Sequence, residues 1–271
     1  MNKLCIYHGN CADGFGAAWV VRSYHEATEF FAGHYGKPPP DVTGRDVIMV
    51  DFSYKRPVLL EMAAKAKSIL ILDHHKTAEL DLVDLPQNVG LVFDMKRSGA
   101  MIAWDHFYPG VSPLPLIRYI QDRDLWQFNL PGSKEVSQAL FSYPYDFDVW
   151  SGLMFPSTLE KLTEEGGAIE RKLQKDLAEL IPQVKRRMVI GGYDVPVAGL
   201  PYMMASEAGN LMAQGEPFAA VYYDTATARK FSLRSTDAGI DASVIASSFG
   251  GGGHRNACGF EVPRNHPLAQ A

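Results

Sequence analysis

Short apolar runs alternate with helical spacings through the first half of the chain. Lys3 to His8 reads as a strand, and Gly14 to Val21 continues into a helix. Val47–Val50, Ile69–Leu72 and Gly90–Phe93 are further runs of buried-strand type. A helix opens near Pro57, and others are predicted near 98–108 and 113–121. Strands that alternate in this way with helices predict an α/β domain built on a parallel sheet. From 157 to 183 the pattern changes. Leu159, Leu162, Ile169, Leu173, Leu177 and Leu180 recur at helical spacing among charges, as one long helix or two abutting at Gly166-Gly167. Lys185-Arg186-Arg187 then supplies cations suited to a helix C-terminus. Strand-like segments follow at 188–190, 194–199, 217–223 and 229–234, then a helix near 241–248, a break at Gly250–Gly253 and a last strand over Gly259–Val262. The expected organisation is an α/β domain over 1–156, a helical connector over 157–187 and a smaller α/β domain over 188–271.

The polar residues that carry chemistry fall where the apolar runs stop. The first strand ends at His8, with Asp13 five residues on. Val47–Val50 stops at Asp51, and Ile69–Leu72 stops at Asp73-His74-His75. A further acidic pair, Asp122 and Asp124, follows the apolar stretch 116–120. An aspartate after a strand is ordinarily a turn former or helix cap. That explains the aspartates one by one but not the histidines beside them. In an open parallel sheet, residues just past the carboxyl ends of the strands converge on one crevice. Convergent carboxylate and imidazole donors without a thiolate cluster suit manganese, iron or similar divalent ions better than structural zinc. Two such ions could clamp both oxygens of a phosphoryl displacement and generate hydroxide near neutral pH. Asp51, from a strand end in the middle of the set, is the expected bridge between them.

Composition narrows the field. The 271 residues are 46% hydrophobic and 21% charged, with a formal net charge of −5, which excludes a disordered chain. No run approaches the ~18–20 apolar residues of a membrane span. The acidic balance argues against a long nucleic-acid groove, whose affinity comes from neutralising many phosphates. Three dispersed cysteines, Cys5, Cys11 and Cys258, and a start without secretory features lead us to expect a reducing, cytoplasmic setting.

Gly250-Gly251-Gly252-Gly253-His254-Arg255 is the second strong feature. Consecutive glycines can form an anion-binding nest, and His254, Arg255 and the strand-end Arg234 could add donors to it. Residues 186–271 carry seven basic and seven acidic residues, so the expected ligand is short and its site local.

Taken together, His8…Asp13-Gly14, Val50-Asp51, Asp73-His74-His75 and Gly251-Gly252-Gly253-His254 resemble the DHH phosphoesterase family with its C-terminal DHHA1 domain, in order and rough spacing from residue 4 to about 262. The resemblance implies a parallel-sheet catalytic domain, a smaller substrate-binding domain, and two divalent cations, manganese foremost. It implies that His8 and Asp51 serve one ion, and that Asp13, Asp51, His74 and one aspartate of the 122–124 pair serve the other. Asp124, which opens Asp124-Leu125-Trp126-Gln127-Phe128, fits the family's pattern better than Asp122. Asp73 would orient a ligand histidine, and His75 would face the scissile phosphate. Arg234, Gly252, Gly253, His254 and Arg255 would bind the substrate's phosphate or terminal nucleotide. One departure stands out: Cys11 replaces the first aspartate of the family's Asp-x-Asp, so a thiolate joins the candidate metal ligands.

The expected activity is hydrolysis of phosphoester bonds in a short nucleotidic substrate such as an oligonucleotide, a cyclic dinucleotide or pAp. The alternatives are a pyrophosphatase and a non-catalytic nucleotide-binding or sensor protein. Oligomeric state has no signature in the sequence.

Overall fold

The computed structural model describes residues 2–270. The outer limits of the two expected domains, Met1 and Ala271, lie outside that range. The chain divides into two compact units, Met1–Lys172 and Leu173–Ala271.

In the first unit the strands are β1 (Lys3–His8), β2 (Thr28–Gly33), β3 (Asp46–Val50), β4 (Ser68–Asp73) and β5 (Val89–Phe93). They pair in the order β2-β1-β3-β4-β5, every neighbour parallel. The helices are α1 (Ala12–Tyr24), α2 (Arg56–Ala63), α3 (Lys76–Asp81), α4 (Gly99–Phe107), α5 (Pro115–Asp124), α6 (Ser133–Ser142) and α7 (Phe147–Leu153). Alternate side chains along each central strand enter two cores. Cys5, Ile48, Val50 and Leu72 pack with Phe15, Trp104, Ile117 and Trp150. Leu4, Ile6, Val47, Met49, Ile69 and Ile71 pack with Phe52, Leu59 and Met62. A sheet buried on both faces needs continuous apolar strands, which is why β1, β3 and β4 were legible as unbroken runs.

β2 was not foreseen. It is an edge strand paired on one side, with Glu29 exposed and both of its phenylalanines half-buried, so its apolar signal is diluted. Its position matters nonetheless. The chain leaves β1 for β2 on one flank and returns past β1 to β3 on the other. The strand order therefore reverses between β1 and β3, and a crevice opens at their carboxyl ends.

α8 (Leu159–Val184) is a single helix that leaves the first unit and enters the second. The second unit holds β6 (Arg186–Ile190), β7 (Tyr193–Gly199), α9 (Ala205–Met212), β8 (Ala219–Asp224), β9 (Ala228–Arg234), α10 (Ala242–Ser248), β10 (Gly252–Gly253), β11 (Ala257–Pro263) and α11 (Pro267–Gln270). Its sheet runs β10-β11-β9-β8-β7-β6, with only β7 and β8 parallel. The fold class is α/β in both units, as expected. One local expectation is corrected. Arg186 and Arg187 do not close α8, which stops at Val184; they open β6. Gly191 and Gly192, at φ +59° and +87°, turn β6 into β7, and Arg187 pairs across the hairpin with Asp194 and also with Glu216. Arg187 thus serves the hairpin as a cross-strand partner, while Arg186 donates to Tyr222 Oη on β8 at 3.2 Å.

Candidate metal centre

Three strand ends deliver the site. β1 finishes at His8, Asp51 is the first residue past β3, and β4 finishes at Asp73 with His74 and His75 behind it. Asp51 adopts φ +52°, a left-handed conformation that costs an ordinary residue energy, and its N–H donates to Leu72 O at 2.9 Å. The turn aims its carboxylate at both neighbouring strand ends. Asp51 Oδ1 lies 3.1 Å from His74 Nε2, and Oδ2 lies 3.3 Å from His8 Nδ1.

Two donor sets share this residue. Asp13, Asp51 and His74 form one, and His8, Asp51 and His75 the other; within each, the donor atoms lie within 4.8 Å of one another. His74 Nε2 is also 3.7 Å from Asp13 Oδ2 and 3.5 Å from Asp124 Oδ2. Asp13 reaches the site from the start of α1, and its carboxylate is held by the N-terminus of α4. Gly99 N donates to Oδ2 at 2.5 Å and Ala100 N to Oδ1 at 3.0 Å, a favourable end of the helix for an anion. The approach leaves no room for side chains: a Cβ on Gly14 would sit 2.4 Å from His8 O, and one on Gly99 would sit 2.4 Å from Asp51 Cβ.

The acidic pair divides its labour. Asp122 is buried and accepts from Asn129 N at 2.9 Å and Leu130 N at 3.0 Å, closing the turn behind α5. Asp124 is the one whose carboxylate meets His74. Asp73 holds one histidine of these donor sets, His75, by its ring. Its Oδ1 takes the Nδ1 of His75 at 2.7 Å, whereas its hydrogen bond from His74 is from the backbone N–H at 2.8 Å. The residue two positions on, whose ring turns back toward Asp73, is the one this carboxylate can orient.

The charges are mutually dependent. Burial, then the charges of Asp124 and Asp51, push the Asp13 carboxyl well above the usual carboxylate range. Burial also raises Asp124, with Asp51 adding to it. Burial opposes ionisation of Asp51, but His74 and His8 outweigh it and hold Asp51 well below that range. Burial would lower both imidazoles, yet the carboxylates around them win and raise His8 and, more strongly, His74. Positive charge is what this group of acids requires.

A cation fits there on the evidence of two atoms. His8 Nδ1 and Asp51 Oδ2 face each other at 3.3 Å, both sealed from solvent, and beyond that ion pair neither has a hydrogen-bond partner. Polar atoms left so cost free energy unless something else satisfies them. A mixed oxygen–nitrogen donor set around a doubly shared carboxylate is the chemistry of a divalent ion such as manganese. Cys11 stands apart. It precedes α1 and joins neither donor set, and burial together with the charges of Asp51, Asp124 and Asp13 raises its thiol well above the usual range.

In the second unit, Arg234 ends β9, packs over Gly209 and donates to Ser206 Oγ at 2.8 Å. Arg255 donates to Gly239 O at 2.8 Å, so its guanidinium braces a loop. The glycine run is not an open nest throughout. Gly250 N and Gly251 N donate to Ser247 O and Ala246 O, finishing α10. Gly252 and Gly253 pair with Gly259 and Cys258 of β11. Close strand contact explains the composition, since a Cβ on Gly251 would meet Gly259 O at 2.0 Å. His254 follows directly, its N–H donating to Ala257 O at 2.8 Å.

Sequence reasoning missed the amides of Gly99 and Ala100 and the aromatic pair Tyr35 and Phe52 beside His8. Ser98-Gly99-Ala100 carried a helix-start signal, and Ser98 does cap α4. Nothing in the spacing pointed to Tyr35. Among the described residues no helix is long and apolar enough to cross a membrane.

No family model matches the chain. It is 31% identical over 296 residues to an uncharacterized protein of Acanthamoeba polyphaga mimivirus, covering 95% of this chain and 66% of that protein, so it spans somewhat less than two thirds of the relative's length. Among solved structures it is similar to a DHH domain described as a member of a ribosomal-protein family, at 12% identity and TM-score 0.62, covering 96% of this chain and 82% of that one. It is similar to the pGpG-specific phosphodiesterase PggH from Vibrio cholerae, at 15% identity and TM-score 0.51, over 97% of this chain and 94% of that one. It is also similar to an exonuclease RecJ bound to manganese, at 16% identity and TM-score 0.50, over 97% and 86%.

Proposed function

On the DHH/DHHA1 phosphoesterase-like fold that the chain adopts, we propose a divalent-metal-dependent phosphohydrolase that cleaves phosphoester bonds of short nucleotidic substrates. One observation carries the reading: Asp51 belongs to both donor sets, with one oxygen turned to His74 and the other to His8. In this reading Asp51 would serve two divalent cations, for which manganese is the natural candidate. His8 would help to hold one, and Asp13, His74 and Asp124 the other. Bound ions of this kind polarise a phosphoryl oxygen and make water nucleophilic near neutral pH.

The chain's own groups do the rest. The α4 amides keep Asp13 in place and oriented. Asp73 fixes the His75 ring, and we assign His75 to the substrate's phosphate, where it stabilises charge on the side of the departing oxygen. Cys11 is assigned no ligand role. In the second unit, Arg234, Gly252, Gly253 and His254 are assigned to the substrate's terminal phosphate or nucleotide. Arg255 would have to exchange its hold on Gly239 to join them. The balanced charge of residues 186–271 supports a small ligand over a polymer. The structural likeness to a pGpG phosphodiesterase and to a manganese-bound exonuclease supports the substrate class.

The test is hydrolysis, with added manganese, of a linear dinucleotide, a cyclic dinucleotide, pAp, a single-stranded DNA end and pyrophosphate. Wild type should cleave at least one nucleotidic member, and Asp51→Asn and His74→Ala should each lose that activity. Activity surviving both substitutions removes the dinuclear reading. Preferential cleavage of pyrophosphate replaces the substrate class.

A further inference from the structure

The loop after β2 lays one aromatic ring at the mouth of the metal centre. Lys37 N donates to His34 O at 3.1 Å, closing a four-residue turn with Tyr35 and Gly36 at its corner. Gly36 has φ +76°, the left-handed value that the third position of such a turn requires. Two more glycines let the loop settle there. A Cβ on Gly33 would lie 2.8 Å from Phe52 Cε1, and one on Gly9 would lie 2.4 Å from His34 Cε1.

Tyr35 is thereby both held and open. Its ring centroid is 4.9 Å from that of Phe52 at an interplanar angle of 38°. Phe52 is fully buried and itself braced edge-on by Tyr54 at 4.9 Å. The Tyr35 centroid lies 5.4 Å from the His8 ring and 6.2 Å from the His75 ring, two members of one donor set. Yet the residue remains 51% exposed. An aromatic residue at a turn corner usually turns outward or is covered. This one is backed on one side by a rigid aromatic and keeps half of its surface exposed beside the His8 and His75 rings.

We propose that the Tyr35 ring, seated on Phe52, is the platform on which the substrate's nucleobase stacks beside the phosphate to be cleaved. The proposal rests on the phosphohydrolase reading above and makes the substrate a nucleotide, because pyrophosphate and polyphosphate carry nothing flat to stack. Stacking on an aromatic side chain tolerates any base, so the platform confers preference for a base, not for its identity.

The experiment is equilibrium binding to the full chain with manganese present. Its probes are adenosine 5′-monophosphate and ribose 5-phosphate, which share sugar and phosphate and differ by the base. Wild type should bind the nucleotide about tenfold tighter than the sugar phosphate, the scale of one base–aromatic stack. Tyr35→Ala should remove that difference by weakening only the nucleotide, and Tyr35→Phe should stay within about twofold of wild type because the ring is kept. Calorimetric manganese binding should be unchanged in both variants. Equal affinities for the two probes in wild type overturn the proposal. So does equal weakening of both by Tyr35→Ala, which would mean that the ring only supports His8, or a Tyr35→Phe loss as large as that of Tyr35→Ala, which would mean a hydroxyl contact. Base-dependent binding through Tyr35 in a protein that hydrolyses no diester would leave the platform standing and sink the catalytic reading alone.

Discussion

Gly99 donates its N–H to Asp13 Oδ2 at 2.5 Å, although 86 residues separate the two in the chain. The contact couples the start of a helix to a candidate metal ligand, and it requires glycine. A Cβ at position 99 would lie 2.4 Å from Asp51 Cβ and 2.9 Å from Asp13 Oδ2, forcing apart the two carboxylates of one donor set. An ion that binds only the folded state at a hundred times its Kd stabilises by about 2.7 kcal/mol, a rise in Tm of several degrees for a chain of this size. Saturating manganese should raise the Tm of wild type by about that much, and Gly99→Ala should lose most of the rise. Thermal unfolding with manganese and with chelator checks this. An undiminished rise would remove Asp13 from the ligand set.

The acidic pair at the end of α5 should separate into two phenotypes. Asp122 accepts two backbone N–H groups from the turn behind it, and hydrogen bonds to a charged group are worth about 1.5–3 kcal/mol. Asp122→Ala should therefore lower Tm even in chelator. Asp124 sits among other carboxylates, 3.5 Å from His74. Asp124→Asn removes a like charge, so in chelator the variant should unfold at or slightly above the wild-type temperature while its manganese-dependent rise shrinks. The reverse pattern would exchange the roles of the two residues.

Much of this site was legible because its candidate ligands stand at strand ends. Unbroken apolar runs marked β1, β3 and β4, and His8, Asp51 and His74 follow from where those runs stop. Spacing could not separate Asp122 from Asp124, because the choice depends on which carboxylate the Asn129–Leu130 amides occupy. It could not assign Asp73 to the His75 ring, a matter of side-chain rotation. β2 escaped notice as a half-buried edge, and the position of Tyr35 depends on β2 and on three glycines that look like ordinary loop residues. The composition of the glycine run does not show that the Gly250 and Gly251 amides are spent on the carbonyls of α10, which leaves Gly252 and Gly253 for the phosphate of the proposed function.

Asp73 should act through His75. It is fully buried, its Oδ1 is 2.7 Å from His75 Nδ1, and its other oxygen has no hydrogen-bond partner. Replacing a carboxylate that orients a functional histidine typically costs about 10–100-fold in activity or metal affinity. Asp73→Asn should lower kcat by that factor with a smaller effect on calorimetric manganese binding, because Asp73 acts through His75, which the proposed function assigns to the phosphate. A loss confined to metal affinity would place His75 among the ligands and not at the phosphate.

The second unit should carry an acid-sensitive fastening of its own. Asp224 at the end of β8 takes the Nε of Arg229 at 2.8 Å and a second contact from Arg264, and these two partners hold its carboxyl below the usual range. Arg229 is itself buried. It stacks 4.1 Å over the Tyr222 ring and donates to Leu268 O at 3.1 Å, joining β9 to α11. A carboxylate whose folded-state pKa is depressed contributes stability that is fully present above its unfolded value, about 3.9, and is lost as pH falls through the folded one. Asp224→Asn should therefore be destabilised relative to wild type near neutral pH, where it leaves Arg229 without its ion partner. The difference should narrow as pH falls below about 4, where the unfolded wild-type chain begins to protonate the same group while the folded one does not. Urea unfolding followed by circular dichroism across that range measures the difference directly. The four tryptophans all lie at or before residue 150, so their fluorescence reports on the first unit. A difference that stays constant with pH would mean that Asp224 contributes through packing alone, and that the Arg229–Asp224 pair does not fasten α11.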